Sequence, residues 1–242
     1  MSKLLKAEDD IMGKALLDYH RGIDSGQLTV RTNVSEDEPY EVSYFFRNFD
    51  EMPLLEQKAL ELAKGEILDV GAGTGIHCLA LATMNKKSKA IDISEISVDI
   101  MKDRGVKDAR CIDYFDIKDE KYDTILLLMN GIGLVETLAG FKGFFDHCKK
   151  ILKPGGQIIF DSSNIIYLFE EEDGSFIIDL NDKYYGEVTF HVEYGCATGM
   201  EFPWLFIDFD NLQDQAEQNG FEAELIQQGE HYDYLAKISL KK

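Results

Sequence analysis

The 242-residue chain has room for one large domain, or one domain carrying a modest insert or cap, and its apolar share of 45% suits a substantial core. Its formal net charge of −20, with no Lys/Arg run longer than a pair, argues against nucleic acid and anionic membrane surfaces as partners; solubility, or a weak field favouring a cationic ligand, accounts for it. Four scattered cysteines (Cys78, Cys111, Cys148, Cys196) lack a His partner at metal-ligand spacing, and no signal peptide or bilayer-length apolar run is recognisable, so reduced thiols, no metal, no membrane span and a cytoplasmic location are expected.

Residues 1–65 read as mainly helical. One amphipathic helix is expected over Ile11-Met12-Gly13-Lys14-Ala15-Leu16-Leu17-Asp18-Tyr19-His20 and a second over 52–64 with Pro53 in its first turn, separated by a polar break at residues 32–38 and Pro39. From Glu66 strand and helix alternate, with strands near 66–70, 88–92, 108–112, 122–129 and 156–161 and helices near 75–84, 95–104 and 137–151. Such alternation implies a parallel sheet with right-handed crossovers and helices on both faces. Residues 124–129 are almost wholly apolar, as in a central strand buried on both sides. Lys153-Pro154-Gly155-Gly156 stops the last of these helices. Residues 174–207 read as a β insert, and a helix near 209–219, a glycine stop at Gly220 and strands at 221–227 and 231–239 complete the chain.

The most informative stretch is Glu66-Ile67-Leu68-Asp69-Val70-Gly71-Ala72-Gly73-Thr74-Gly75. A short buried strand enters a turn of three glycines, and an amphipathic stretch at 76–84 leaves it. Glycine permits positive φ and a close approach of backbone to ligand. The new helix directs its free N–H groups and positive dipole end over the turn. Asp92, ending the next strand, is placed to accept hydrogen bonds from a pair of ribose hydroxyls, so the pattern calls for a nucleoside-containing cofactor. A dinucleotide site expects G-x-G-x-x-G, but position 76 is Ile, and counting from Gly73 puts Cys78 third. Asp69, two residues before the first glycine, suits an ammonium or sulfonium group better than a pyrophosphate; bracing the turn through backbone N–H groups is a compatible second role.

With these residues the chain resembles the class I S-adenosylmethionine-dependent methyltransferases, by motif over about residues 60–164 and by the helix-strand-strand pattern of the 209–240 tail. The resemblance implies an α/β fold with a Rossmann-like seven-stranded methyltransferase sheet, mostly parallel with the last strand antiparallel. To this are added a helical N-terminal cap (residues 1–60) and a β insert (about 174–207) in a core spanning 61–242. Residues 66–75 match the family's first motif, which sets Asp69, Gly71, Ala72, Gly73 and Gly75 against the cofactor. Ala90-Ile91-Asp92-Ile93-Ser94 matches the second, whose acidic residue holds the ribose, with Ile93 beside it. Asp113-Tyr114-Phe115 matches the acidic-then-apolar position used on the adenine amino group and ring face, although Asp113 also suits a helix cap. Tyr122-Asp123-Thr124-Ile125-Leu126-Leu127-Leu128-Met129-Asn130 matches the fourth strand, which brings Met129 and Asn130 to the cofactor, and Leu152-Lys153-Pro154-Gly155-Gly156 the turn before the fifth. The implied cofactor is S-adenosyl-L-methionine. His77, in the first turn of the helix after Gly75, reads as a packing residue rather than a base.

In-line methyl transfer depends mainly on alignment and exclusion of water, so no catalytic residue is assigned. The acceptor is expected over the carboxyl ends of the strands, near Asn130-Gly131-Ile132-Gly133 and Asp161-Ser162-Ser163-Asn164. The family's amino-N-methyltransferases of DNA and protein carry Asn/Asp-Pro-Pro-Tyr/Phe after strand four, and Gly131-Ile132-Gly133 departs from it. The twin glycines fit either a close ligand or a tight turn. Tyr44, Arg47 and Trp204 have polar handles suited to a pocket, with Arg47 matched to a carboxylate of cofactor or substrate; Ser162 and Asn164 complete the candidate acceptor set. A cap built from both flanks favours a small-molecule acceptor over a macromolecule, while the oligomeric state is not legible. A non-catalytic S-adenosylmethionine-binding sensor or partner protein on the same fold is the second reading, and an NAD-dependent oxidoreductase a distant third.

Overall fold

The computed structural model describes residues 4–23, 26–171, 173–178 and 183–241. The N-terminal part holds α1 (Ile11–His20), β1 (Leu28–Thr32), β2 (Ser35–Tyr40) and α2 (Leu54–Leu62). The alternating part runs β3 (Ile67–Val70), α3 (Ile76–Thr83), β4 (Ser88–Asp92), α4 (Glu95–Asp103), β5 (Ala109–Cys111), β6 (Tyr122–Leu127), α5 (Phe141–Ile151) and β7 (Leu152–Ser163). The chain ends with β8 (Glu187–Tyr194), β9 (Ala197–Thr198), β10 (Phe202–Leu205), α6 (Phe209–Gln218), β11 (Phe221–Gln228) and β12 (Asp233–Leu240).

Seven strands form the main sheet in the order β11-β12-β7-β6-β3-β4-β5. The pairs among β7, β6, β3, β4 and β5 are parallel, and β12 runs antiparallel to both β7 and β11. This is the sheet expected from the sequence. Its central strand is buried on both faces: Ile125 and Leu127 join the core under α5 and α6, while Leu126 joins the one under α2 and α3. α5 shows why it sits where it does. Phe141, Phe144, Phe145, Cys148 and Ile151 recur at helical spacing and are all buried, whereas Lys142, Lys149 and Lys150 on the other side are exposed. Among the described residues no helix is long and apolar enough to cross a membrane.

Residues 28–40 differ from the expected helical segment with a polar break. β1 and β2 form an antiparallel hairpin in which Val30 opposes Glu38 and Thr32 opposes Ser35. β1 also pairs with β8, Leu28 opposite Tyr194 and Thr32 opposite Phe190, and the sheet runs β10-β8-β1-β2, with β9 attached to β8. The physical reason is non-local: β1 gains its second neighbour from a segment far along the chain, which no local periodicity records. Pro39 lies on the edge strand β2, where its missing N–H interrupts no inner ladder. Ile11 and Ala15 of α1 share a small core with Leu28, Val192 and Tyr194, so the N-terminal segment and the β insert are packed as one unit.

Candidate functional site

The turn between β3 and α3 takes the shape its glycines allow. Gly71, Gly73 and Gly75 have φ of 67°, 55° and 81°, a region that strains any residue with a Cβ. Their surroundings divide them. A Cβ at Gly71 or Gly73 would meet no protein atom within 4 Å, whereas one at Gly75 would lie 2.7 Å from Val106 Cγ2 and 3.0 Å from Met101 Cγ. The first two glycines therefore leave an open cradle beyond β3, and the third lets the turn pack tightly against the end of α4. Asp92, at the end of β4, braces the cradle: Oδ2 accepts from the Gly73 N–H at 2.9 Å and Oδ1 from the Ser94 N–H at 2.9 Å. Burial lifts its pKa to about 6 against the lowering effect of those N–H groups, and Asp10 nearby adds to the rise.

Beneath the turn lies a buried chain of charges. Asp69 is 1% exposed and faces the α2–α3 side of the sheet. His77 Nδ1 stands 3.9 Å from Asp69 Oδ1, and its Nε2 lies 2.8 Å from Glu56 Oε2. Arg47 Nη2 reaches Glu56 Oε1 at 2.5 Å and Oε2 at 2.6 Å, its guanidinium lies 3.7 Å over the Tyr44 ring, and Nη1 donates to the Tyr44 carbonyl. Burial would raise Glu56, but hydrogen bonds and charge from His77 and Arg47 outweigh it and hold the carboxyl below its usual range. Burial would likewise depress His77, yet the Glu56 hydrogen bond and the Asp69 charge raise it. Asp69 itself is pushed up by burial and accepts from the Cys78 thiol at 3.4 Å. Arg47 is thus committed to Glu56 rather than turned toward a ligand carboxylate, because a buried carboxylate without a cationic partner is strongly unfavourable.

Other expected site residues also found protein partners. Asp113 caps the short turn Tyr114–Asp116, its Oδ1 accepting from the Phe115 N–H at 2.9 Å. The Tyr114 side chain goes into the core, with its hydroxyl 3.1 Å from Cys148 Sγ and its ring stacked on Phe144, while Phe115 stays 37% exposed. Met129 and Asn130 both have left-handed backbone, φ 59° and 55°, which ends β6 at Leu127 instead of 129. Such backbone costs of order 1–3 kcal/mol per residue and concentrates at functional sites. Asn130 Oδ1 accepts from Ser162 Oγ at 2.9 Å and its Nδ2 donates to the Leu205 carbonyl at 3.3 Å. Ser162 Oγ also accepts from the Ile207 N–H, so this buried hydroxyl clamps β7 to the segment after β10 rather than facing an acceptor. Asn164 Oδ1 accepts from the Ile166 N–H and from the Tyr185 hydroxyl, a capping role. Gly133 is explained by Trp204: a Cβ there would lie 2.0 Å from the indole Nε1. Trp204 and Tyr44 remain partly exposed.

A family model described as a methyltransferase domain matches residues 68–160. The solved structure of an S-adenosylmethionine-dependent methyltransferase from Bacteroides fragilis, in complex with S-adenosyl-L-homocysteine, is 46% identical, covers 100% of this chain and 99% of its own, and superposes with a TM-score of 0.93. The chain belongs to the S-adenosylmethionine-dependent methyltransferases. The CcbJ methyltransferase from Streptomyces caelestis shares the fold at 16% identity, covering 80% of this chain and 95% of its own, with a TM-score of 0.60. A ubiquinone biosynthesis O-methyltransferase from Idiomarina loihiensis is 28% identical over 107 residues, 41% of this chain and 42% of that protein. The chain spans only 37% to 55% of the length of the curated relatives it matches.

Three residues that join the candidate site in the structure were not singled out by sequence. Glu56 joins the charge chain from α2. Thr74, between two glycines, donates from Oγ1 to the Phe45 carbonyl, and Arg104 Nη1 donates to Thr74 O at 2.7 Å and Oγ1 at 2.6 Å while its guanidinium lies 4.9 Å over the Phe46 ring. These two tie the N-terminal segment to the turn. A polar residue inside a glycine turn was the one available signal. Asp161, which begins the Asp161-Ser162-Ser163-Asn164 segment expected near the acceptor, lies at the carboxyl end of β7, with Oδ2 accepting from the Asn130 N–H at 3.0 Å.

Proposed function

We propose that this methyltransferase passes a methyl group from S-adenosyl-L-methionine to a small-molecule acceptor held between the carboxyl ends of β6 and β7 and the cap formed by the N-terminal segment and the β insert. The observation that carries the reading is the open cradle of Gly71 and Gly73 with the Asp92 carboxylate at its rim. When bound, the donor supplies a methyl carbon activated by a positively charged sulfur. Asp92 accepts from the ribose hydroxyls, with Ile93 alongside. Asp113 takes the adenine amino group and Phe115, rather than Tyr114, offers a ring face. Ala72, Met129 and Asn130 line the backbone floor of the site, and Asp69 acts from beneath through His77 and the turn. Tyr44 and Trp204 wall the acceptor space and exclude water, the main contribution the protein makes to an in-line transfer. The four free thiols fit a reducing, cytoplasmic setting.

The test is calorimetric titration with S-adenosylhomocysteine. Micromolar or tighter binding is expected, and Asp92→Asn should weaken it about 100-fold, the loss of two charge-assisted hydrogen bonds. No binding by the wild-type protein would remove the reading.

A further inference from the structure

Asp161 is a half-buried acid whose carboxylate the scaffold uses only in part. β7 alternates its side chains between the two cores, Ile158 and Phe160 toward α5 and Ile159 toward α2 and α3. Asp161 continues the Ile159 face past the end of the packed region, the same face of the sheet as Asp69, with only β6 between their strands. Its Oδ2 is fixed by the Asn130 N–H, which rigidly aims the carboxylate. Its Oδ1 has no hydrogen-bond partner among the described residues and is covered by the surrounding groups, so an acceptor reaches it only when they give way. The groups around it are Glu56 of α2, His77 of α3, Tyr44 of the N-terminal segment and Tyr234 of β12. Glu56 is already paired with Arg47 and His77, so Asp161 is left as the acid without a counter-group.

Position decides what it could meet. The proposed adenosine anchors, Asp92 and Asp113, lie on the β4–β5 side of β3, so the donor's sulfur end is directed toward β6, and β7 is the next strand. Resting on that reading of the donor site, we propose that Asp161 Oδ1 binds the N–H or O–H of the acceptor's nucleophile and takes its proton during transfer. The acceptor atom forms the new bond to the methyl carbon, the carbon–sulfur electron pair returns to sulfur, and the displaced proton ends on Oδ1. The substrate class is therefore a small amine or hydroxyl compound. A carboxylate acceptor, bringing no proton and a second negative charge against Asp161, is excluded.

Sinefungin, which carries an amine where the donor has its methylated sulfur, tests this without the natural acceptor. Its ammonium group should pair with Asp161, so the wild-type protein at pH 8 should bind sinefungin about tenfold or more tightly relative to S-adenosylhomocysteine. Burial raises Asp161 to about 6, so that preference should shrink about tenfold by pH 5 as the carboxylate takes up a proton. Asp161→Asn should abolish both the preference and its pH dependence, with S-adenosylhomocysteine affinity within about threefold of wild type. An unchanged preference in D161N, or no preference in the wild type, overturns the proposal. An equal loss of both ligands overturns it too, placing Asp161 on a group the ligands share. If D161N does not fold, the pH course of the wild-type preference decides alone. Failure of both ligands to bind refutes the donor site itself, a separate result.

Discussion

The glycine turn separates a structural demand from a ligand demand. At Gly75, alanine would hold a left-handed backbone, about 1–2 kcal/mol, and press its Cβ on Val106 Cγ2 and Met101 Cγ at 2.7 and 3.0 Å, overpacking of about 1–3 kcal/mol. Gly75→Ala should therefore destabilise by about 2–5 kcal/mol, a Tm lower by roughly 5–15 °C for a chain of this size. Gly71→Ala and Gly73→Ala meet open space, so each should lose only the backbone strain, about 1–2 kcal/mol. Their methyl groups instead project into the cradle. Urea denaturation and calorimetry with S-adenosylhomocysteine should give a crossed result: G75A loses stability and keeps affinity once folded, while G71A and G73A keep most stability and lose at least tenfold in affinity. Parallel losses in all three, or a G75A protein within about 1 kcal/mol of wild type, would refute the division.

Two further outcomes concern the charge chain. Arg47→Met should cost about 3–5 kcal/mol by leaving Glu56 buried with His77 alone, and R47M/E56L should cost less than the two single changes added, as read by urea denaturation. Glu56 is held below its ordinary 4.5 and His77 above its ordinary 6.5. The Glu56 contribution is thus present above pH 4.5 and lost as pH falls through its lowered value; the His77 contribution is full below pH 6.5 and lost as pH rises through its raised value. Wild-type stability should decline on the alkaline side of that window, and His77→Gln should flatten the alkaline limb; an unchanged limb would show that His77 carries no charge in the folded protein.

The main sheet was legible because its strands and helices announce themselves locally. Leu68 to Val70, Ile125 to Leu127 and Ile158 to Phe160 are buried runs between turn residues, and α5 shows its apolar stripe. The second sheet was not legible, since the strand at Leu28–Thr32 is completed by one at Glu187–Tyr194. Of the candidate site, the glycine turn and the placing of Asp92 at the end of the next strand were legible from spacing. Ser162, Asn164 and Arg47 have protein partners that the sequence does not reveal. A polar side chain near a pocket must be satisfied by something, and sequence does not say whether that is a ligand or the protein. The turn that Asp113 caps sends Tyr114 inward and leaves Phe115 outside, a choice that an acid followed by two aromatic residues does not settle in the sequence. Glu56 carried no mark at all: one acid among 45 gains meaning only when Arg47 and His77 are brought to it.

The pairing of β1 with β8 sets an order of events during synthesis. Val30 waits for Val192, made about 160 residues later, some 8–30 s at ordinary elongation rates. During that interval the edge of β1 that β8 will fill is open, as is the outer edge of β2, and the hairpin shows an apolar face centred on Leu28, which in the finished protein is 1% exposed. An early segment of this chain is thus among the last to find its place. The charged and proline-bearing strand Ser35–Tyr40 guards only the second of these edges against pairing with another chain, so the β1 edge stays exposed until β8 is made.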